Sequence, residues 1–118
     1  MDEGLSLIKG TLDLLVLKAL RCGANHGYGV SRWLEQWSSG ELVVVDSALY
    51  QALHRLEARG FVEAEWGVTE NRRRARFYSV TASGTRSLDA QSARFARYAS
   101  VVNNILAVDP AEAGEGSV

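Results

Sequence analysis

Apolar side chains at helical spacing in three early stretches, two strand-like runs flanking an arginine-rich loop, and a closing seven-residue repeat together predict one fold class. It is a mainly α chain with a small β-hairpin. The first helix is expected from about Lys9 to Arg21. Leu12, Leu14, Leu15, Val16, Leu17, Ala19 and Leu20 surround nearly its whole circumference, so it needs packing partners on two sides. Gly23 ends it. From about His26 to Trp37, the residues Val30, Trp33, Leu34 and Trp37 fall at i, i+3, i+4 and i+7, the stripe of an amphipathic second helix.

Ser38-Ser39-Gly40 reads as a turn, and the β-branched run Leu42–Val45 as a short strand. A third helix follows over Asp46–Arg59, with Asp46 as its cap or in its first turn. Its core stripe is Leu49, Ala52, Leu53 and Leu56, and Gly60 stops it. Val62, Ala64 and Trp66 alternate with Glu63 and Glu65, the period of a half-buried strand, and Arg76, Tyr78 and Val80 alternate on a second strand. Between them, Gly67 to Arg74 is a polar loop. Thr81 is the expected cap of a last helix in which Leu88, Phe95 and Val102 recur every seven residues, as do Tyr98 and Ile105.

This order of elements describes a winged helix-turn-helix with a C-terminal dimerisation helix. Residues 1–80 form the DNA-binding part, 81–106 the dimerisation helix, and 107–118, with Pro110, small residues and acids, a disordered tail. Leu12 and Leu15 of the over-apolar first helix join Leu88, Phe95, Tyr98, Val102 and Ile105 as the expected dimer interface.

In a helix-turn-helix the second helix of the motif enters the major groove while the first braces against the backbone. With its core stripe turned inward, the third helix leaves Ser47, Tyr50, Gln51, His54 and Arg55 outside. Arg suits the acceptors of guanine, Gln suits adenine, and Ser and Tyr can donate to phosphate. Each has a plainer alternative as a solvated surface side chain, or for Tyr50 as packing against a neighbouring loop. The run Arg72, Arg73, Arg74 and Arg76 at the hairpin tip is suited to phosphates or a narrow minor groove. Its alternative is a solvated loop. Strand alternation places Arg76 with Tyr78 and Val80, at the edge of the core.

Charge supports this reading. The chain has 118 residues and a net charge of −1, yet residues 4–108 hold nine acids against all 13 bases, eleven of them arginine. Arginine forks suit phosphate and base edges. One domain's worth of chain leaves no separate catalytic domain. The longest apolar stretch, Leu12 to Leu20, is far short of the ~20 residues that cross a bilayer. The Met-Asp-Glu start lacks the cations of a secretory signal, and Cys22 has no second cysteine to pair with, so a reducing cytoplasm is expected, with Cys22 an inert small apolar side chain. His26, His54 and a single cysteine make neither a zinc set nor a nucleophile pair, and no phosphate-cradling glycine loop is present. Glu63 and Glu65 read as a solvated strand face. No enzyme, metal or cofactor is expected.

The runs KGTLDLLVLKAL, HGYGV, ALYQALHRLEARGFVEAEWG and ENRRRARFYSVTASG resemble the PadR family of bacterial transcriptional regulators, in particular its short, single-domain members. The resemblance covers roughly Leu7 to Leu88. It implies a winged-helix homodimer whose C-terminal helix exchanges contacts with the partner, and a repressor of a palindromic promoter element. In related proteins a small aromatic or drug-like effector can release the DNA. Where the family has Gly-Ser-Leu-Tyr-Pro-Ala-Leu, this chain has Ser47-Ala48-Leu49-Tyr50-Gln51-Ala52-Leu53, so Ala48 lacks a serine hydroxyl and Gln51 replaces a proline. The HGYG match implies that the start of the second helix approaches the DNA backbone, with its amides and Tyr28 as phosphate donors. Trp33, Trp37, Phe95 and Tyr98 are candidates to line an aromatic effector cavity, and their alternative is simple core packing. The reading opposed to DNA recognition is a winged-helix module that binds only another protein.

Overall fold

The structure, a computed structural model, describes residues 10–116. Lys9, the expected start of the first helix, lies outside them. Helix α1 spans Leu12–Arg21, a short strand β1 Asn25–His26, helix α2 Gly27–Trp37 and helix α3 Asp46–Ala58. Strands β2, Val62–Val68, and β3, Arg74–Val80, form the wing. Helix α4 spans Ala82–Leu106 and a short α5 Pro110–Gly116. The chain divides into one compact unit ending at Leu88 and a second beginning at Asp89.

The core of the first unit is drawn from the stripes expected of it. Val16, Leu17, Ala19 and Leu20 of α1, Val30 and Leu34 of α2, and Leu49, Ala52, Leu53 and Leu56 of α3 are buried together with Val62 and Tyr78 of the wing. Leu12, Leu14, Leu15 and Trp33 pack half-buried against them. Full burial of a leucine-sized side chain contributes about 1.5–3 kcal/mol, so this cluster fixes how the three helices meet.

Val62↔Val80, Ala64↔Tyr78 and Trp66↔Arg76 pair across the antiparallel wing. The strands run further into the expected loop than turn chemistry suggests, leaving Thr69–Arg73 as the tip. The third strand is not Leu42–Val45. That segment is irregular: Val44 alone is buried, while Val43 and Val45 are exposed. Asn25–His26 takes the place beside β3, in register Asn25↔Tyr78 and His26↔Phe77, giving the sheet order β1-β3-β2. The β-branched run has propensity, but β1 already takes the second edge of β3, and propensity without a partner does not make a strand.

Thr81 caps α4 as expected, its Oγ1 accepting from the Gly84 amide at 3.0 Å and donating to the Gly60 carbonyl at 2.7 Å. The next turn packs so closely that a Cβ at Gly84 would collide with the Phe61 carbonyl and with Val80. Leu88, expected on a dimerisation seam, is therefore a core residue of the first unit, 5% exposed. The first two turns of α4 fall in the compact unit that ends at Leu88.

In the second unit Phe95, Tyr98, Val101, Ile105 and Leu106 are exposed along α4, and Val102 is half-buried. Residues 110–116, expected to be without structure, form a helix of two turns. Pro110 has the fixed φ that suits a first helical position, and Asp109 caps it by accepting from the Ala111 amide at 2.9 Å. Two further residues depart from expectation. Trp37 projects from the end of α2, 70% exposed, because the core closes at Leu34. Cys22 is exposed at the end of α1 rather than packed. Among the described residues no helix is long and apolar enough to cross a membrane.

Candidate nucleic-acid interface

The α2 start, the outer face of α3 and the inner face of the wing bound one groove of about 920 Å³. Local sequence builds each wall. On α2, His26 is the N-cap, its Nδ1 accepting from the Gly29 amide at 3.1 Å. The His26 ring meets Phe77 edge-on at 5.2 Å, so the cap is seated on the wing strand. Gly27 is required by close approach: a Cβ there would stand 2.7 Å from the Tyr50 ring and hydroxyl. Tyr50 therefore lies across the first turn of α2, both exposed to the groove and in contact with a neighbouring segment.

The α3 pattern holds as a surface prediction. Ser47, Tyr50, Gln51, His54 and Arg55 are all exposed, with Leu49, Ala52, Leu53 and Leu56 beneath. Of these, Tyr50 and His54 line the groove. Ser47 and Gln51 lie on the exposed face of α3 outside its walls. Arg55 is held by Asp13 of α1 in a two-pronged ion pair, Nη2 to Oδ1 at 2.7 Å and Nε to Oδ2 at 3.0 Å. That hydrogen bond raises the Arg55 pKa further. The Nε–Nη2 edge of its planar fork is therefore not free for a base edge while this pair stands.

At the wing tip the Thr69 amide donates to the Arg73 carbonyl at 2.8 Å, and the Arg72 and Arg73 amides donate to the Thr69 carbonyl and hydroxyl at 2.9 and 3.2 Å. Arg72 takes a left-handed backbone, φ +62°, to close the turn. Arg73 and Arg74 line the groove, and Arg72 is exposed outside it. Arg76 is half-buried, with Nη2 2.9 Å from Oε2 of Glu57 on α3 and its guanidinium 5.6 Å from the Tyr78 ring. It is a tie between wing and helix, as its place beside Tyr78 and Val80 suggested. Among the described residues no carboxylate forms an ion pair with Arg72, Arg73 or Arg74.

Two groove residues were missed by the sequence reading. Arg32 follows Tyr28 by one helical turn, and its Nη1 donates to the Tyr28 hydroxyl at 3.0 Å. The i,i+4 spacing was the available signal. Trp66 was read as core-facing because it alternates with Val62 and Ala64. The same strand face is buried at Val62 but passes beyond the helices by Trp66, which is 58% exposed. Trp33 and Trp37 sit 6.1 Å apart on α2 with a 44° tilt. Phe95 and Tyr98, the other aromatic candidates, belong to the second unit.

Comparison with known proteins agrees with this geometry. Residues 16–90 match the transcriptional regulator PadR-like family. The chain belongs to this family. It is similar to a PadR family transcriptional regulator from Eggerthella lenta, at 27% identity and a TM-score of 0.74, covering 86% of each chain. A transcriptional regulator from Clostridium thermocellum is 25% identical with a TM-score of 0.74, over 81% of this chain and 90% of that one. The fold is also shared with Bacillus subtilis PadR in complex with operator DNA, at 21% identity and a TM-score of 0.62, over 71% of this chain and 48% of that one. PadR-like proteins are transcriptional regulators, so the chain is placed among regulators rather than enzymes.

Tyr78, at the base of the groove, has its pKa raised above 10.0, first by burial, with the Arg76 charge opposing and Glu57 adding to the rise. The folded chain keeps this phenol neutral above the pH at which the unfolded chain ionises it. Stability is therefore intact below about pH 10 and falls as pH rises from there toward the folded value. Tyr78→Phe should lose less of its thermal midpoint than the parent chain between about pH 9 and pH 11. Equal losses in parallel alkaline melts would contradict the assignment.

Proposed function

We propose that this PadR-like regulator binds double-stranded DNA as a homodimer and represses a promoter with a palindromic element. The observation that carries the reading is the convergence of Tyr50 and His54 of α3, Tyr28 of α2, and Arg73 and Arg74 of the wing on one groove. A reading helix and a basic hairpin facing the same way is the arrangement a helix-turn-helix needs to sit in a major groove with its wing on the flanking backbone. Gln51, on the exposed face of α3, is assigned to base edges, Ser47 to phosphate, and Arg72 to the backbone beside the tip. Arg55 and Arg76, tied to Asp13 and Glu57, act mainly by holding α3 against α1 and against the wing. The PadR complex with operator DNA supports the same class of ligand for this fold.

Binding of duplexes bearing selected genomic fragments, followed by anisotropy across salt concentrations, tests this. Affinity should fall steeply with salt. Arg73→Ala should weaken binding about equally on all sequences, whereas Gln51→Ala should relax preference at one position at about 1–3 kcal/mol. Salt-independent binding, or unchanged affinity after neutralising all four wing arginines, contradicts the reading. A reporter placed under a bound promoter should be silenced by the protein if it represses.

The exposed Phe95, Tyr98, Val101 and Ile105 on α4 support the dimer, because a monomeric soluble domain rarely leaves so long an apolar row uncovered. Leu12 and Leu15, half-buried on α1, are assigned to the same contact. Ile105→Asp should shift the sedimentation coefficient to that of a monomer and abolish binding to two half-sites spaced about 34 Å apart. A parent chain that sediments as a monomer at all concentrations contradicts it. Release of DNA by a small aromatic effector is proposed to be sensed at Trp33 and Trp37, 6.1 Å apart on α2. Quenching of tryptophan emission by planar phenolics, with parallel loss of bound DNA, is the expected result, and a spectrum that never changes would exclude it.

A further inference from the structure

The groove carries a guanidinium on each wall, and each one lies on an exposed aromatic ring. On the α2 wall the Arg32 guanidinium carbon is 5.8 Å from the centre of the Tyr28 ring, and its Nη1 donates to the Tyr28 hydroxyl at 3.0 Å. On the wing wall the Arg74 guanidinium carbon is 4.6 Å above the Trp66 ring. Tyr28 and Trp66 are 62% and 58% exposed, so both rings reach the groove surface. Among the described residues neither guanidinium is in an ion pair, in contrast to Arg55 and Arg76, which Asp13 and Glu57 engage. Glu70 is the one acidic side chain among the described walls, which also hold Arg73 and Arg76.

We propose that Arg32 and Arg74 form a two-sided clamp on the phosphodiester backbone of a DNA strand, with Tyr28 and Trp66 as the positioning residues that aim them. The inference rests on the DNA-binding reading and adds Arg32, Trp66 and a division of labour to it. A free arginine side chain samples many rotamers, and ordering it opposes binding. A guanidinium already held in place, Arg74 over the Trp66 ring and Arg32 by the Tyr28 hydroxyl, loses less freedom when it meets an anion. The stack also decides what the aromatics do. One face of the Trp66 ring is covered by Arg74, and the N–H edges of that guanidinium are left to contact phosphate oxygens. Phosphate contacts position a protein without reading sequence, which fits residues placed beside, and not on, the outer face of α3.

The test is the dependence of duplex affinity on salt, measured for the parent chain and for Arg32→Gln, Arg74→Gln, Trp66→Leu and Trp66→Phe, on a selected fragment and on a mixed-sequence duplex. Arg32→Gln and Arg74→Gln should each weaken both duplexes by the same factor and reduce the magnitude of the logarithmic salt slope by about one. Trp66→Leu should reproduce the Arg74→Gln slope and add little on top of it, and Trp66→Phe should restore most of the parent behaviour. Parent binding that falls with salt while Arg32→Gln keeps the parent affinity and slope overturns the clamp and leaves the DNA reading standing. A parent chain that binds neither duplex removes both. If Trp66→Leu weakens only the selected fragment with an unchanged slope, the tryptophan reads bases and its positioning role is wrong. Should Trp66→Leu not melt cooperatively, Trp66→Phe and the two surface arginine variants decide the matter.

Discussion

Antiparallel pairing of two residues, Asn25 and His26, with Tyr78 and Phe77 holds the start of α2 to the wing. Without it the three walls of the groove would be carried by separate elements. The pairing places His26 where its ring meets Phe77 and its Nδ1 caps α2. It brings Gly27 under Tyr50 so closely that any Cβ there would displace the tyrosine ring. One short ladder thus sets the α2 start, the exposed face of α3 and the wing in fixed register. A surface meant to match a duplex requires this kind of rigidity, because binding groups on independent loops would each have to be ordered on contact.

The arginines divide by what surrounds them. Arg55 and Arg76 are tied to Asp13 and Glu57, joining α3 to α1 and to the wing. Exposed pairs of this kind contribute little to stability, about 0–1 kcal/mol, so their value lies in geometry. Arg32 and Arg74 are held by aromatic rings instead, and Arg73 sits on a tip whose backbone is closed by Thr69. A ring orients a guanidinium without neutralising it. A chain with a net charge of −1 therefore presents a concentrated cationic groove without being basic as a whole.

The helical stripes were legible because a core imposes a 3.6-residue period wherever one side of a helix is buried. Leu49, Ala52, Leu53 and Leu56 obey it, and so do Val30 and Leu34. The same rule misplaced Trp37 and Leu88, since a period says which face is apolar and not where the core ends or whose core it is. Leu42–Val45 failed as a strand for a related reason: the single available edge of β3 was already taken by Asn25–His26, a pair with no apolar alternation to announce it. Trp66 was lost where a strand face passes from buried to exposed along its own length.

Local chemistry in the sequence alone determined helices α1 to α4, the hairpin, the Thr81 cap, the basic tip and the outward face of α3, because spacing and capping act over a few residues. Tertiary structure decided which charges are engaged. Whether an arginine meets Asp13 or Glu57 depends on partners 42 and 19 residues away, and no periodicity encodes a distance of that kind.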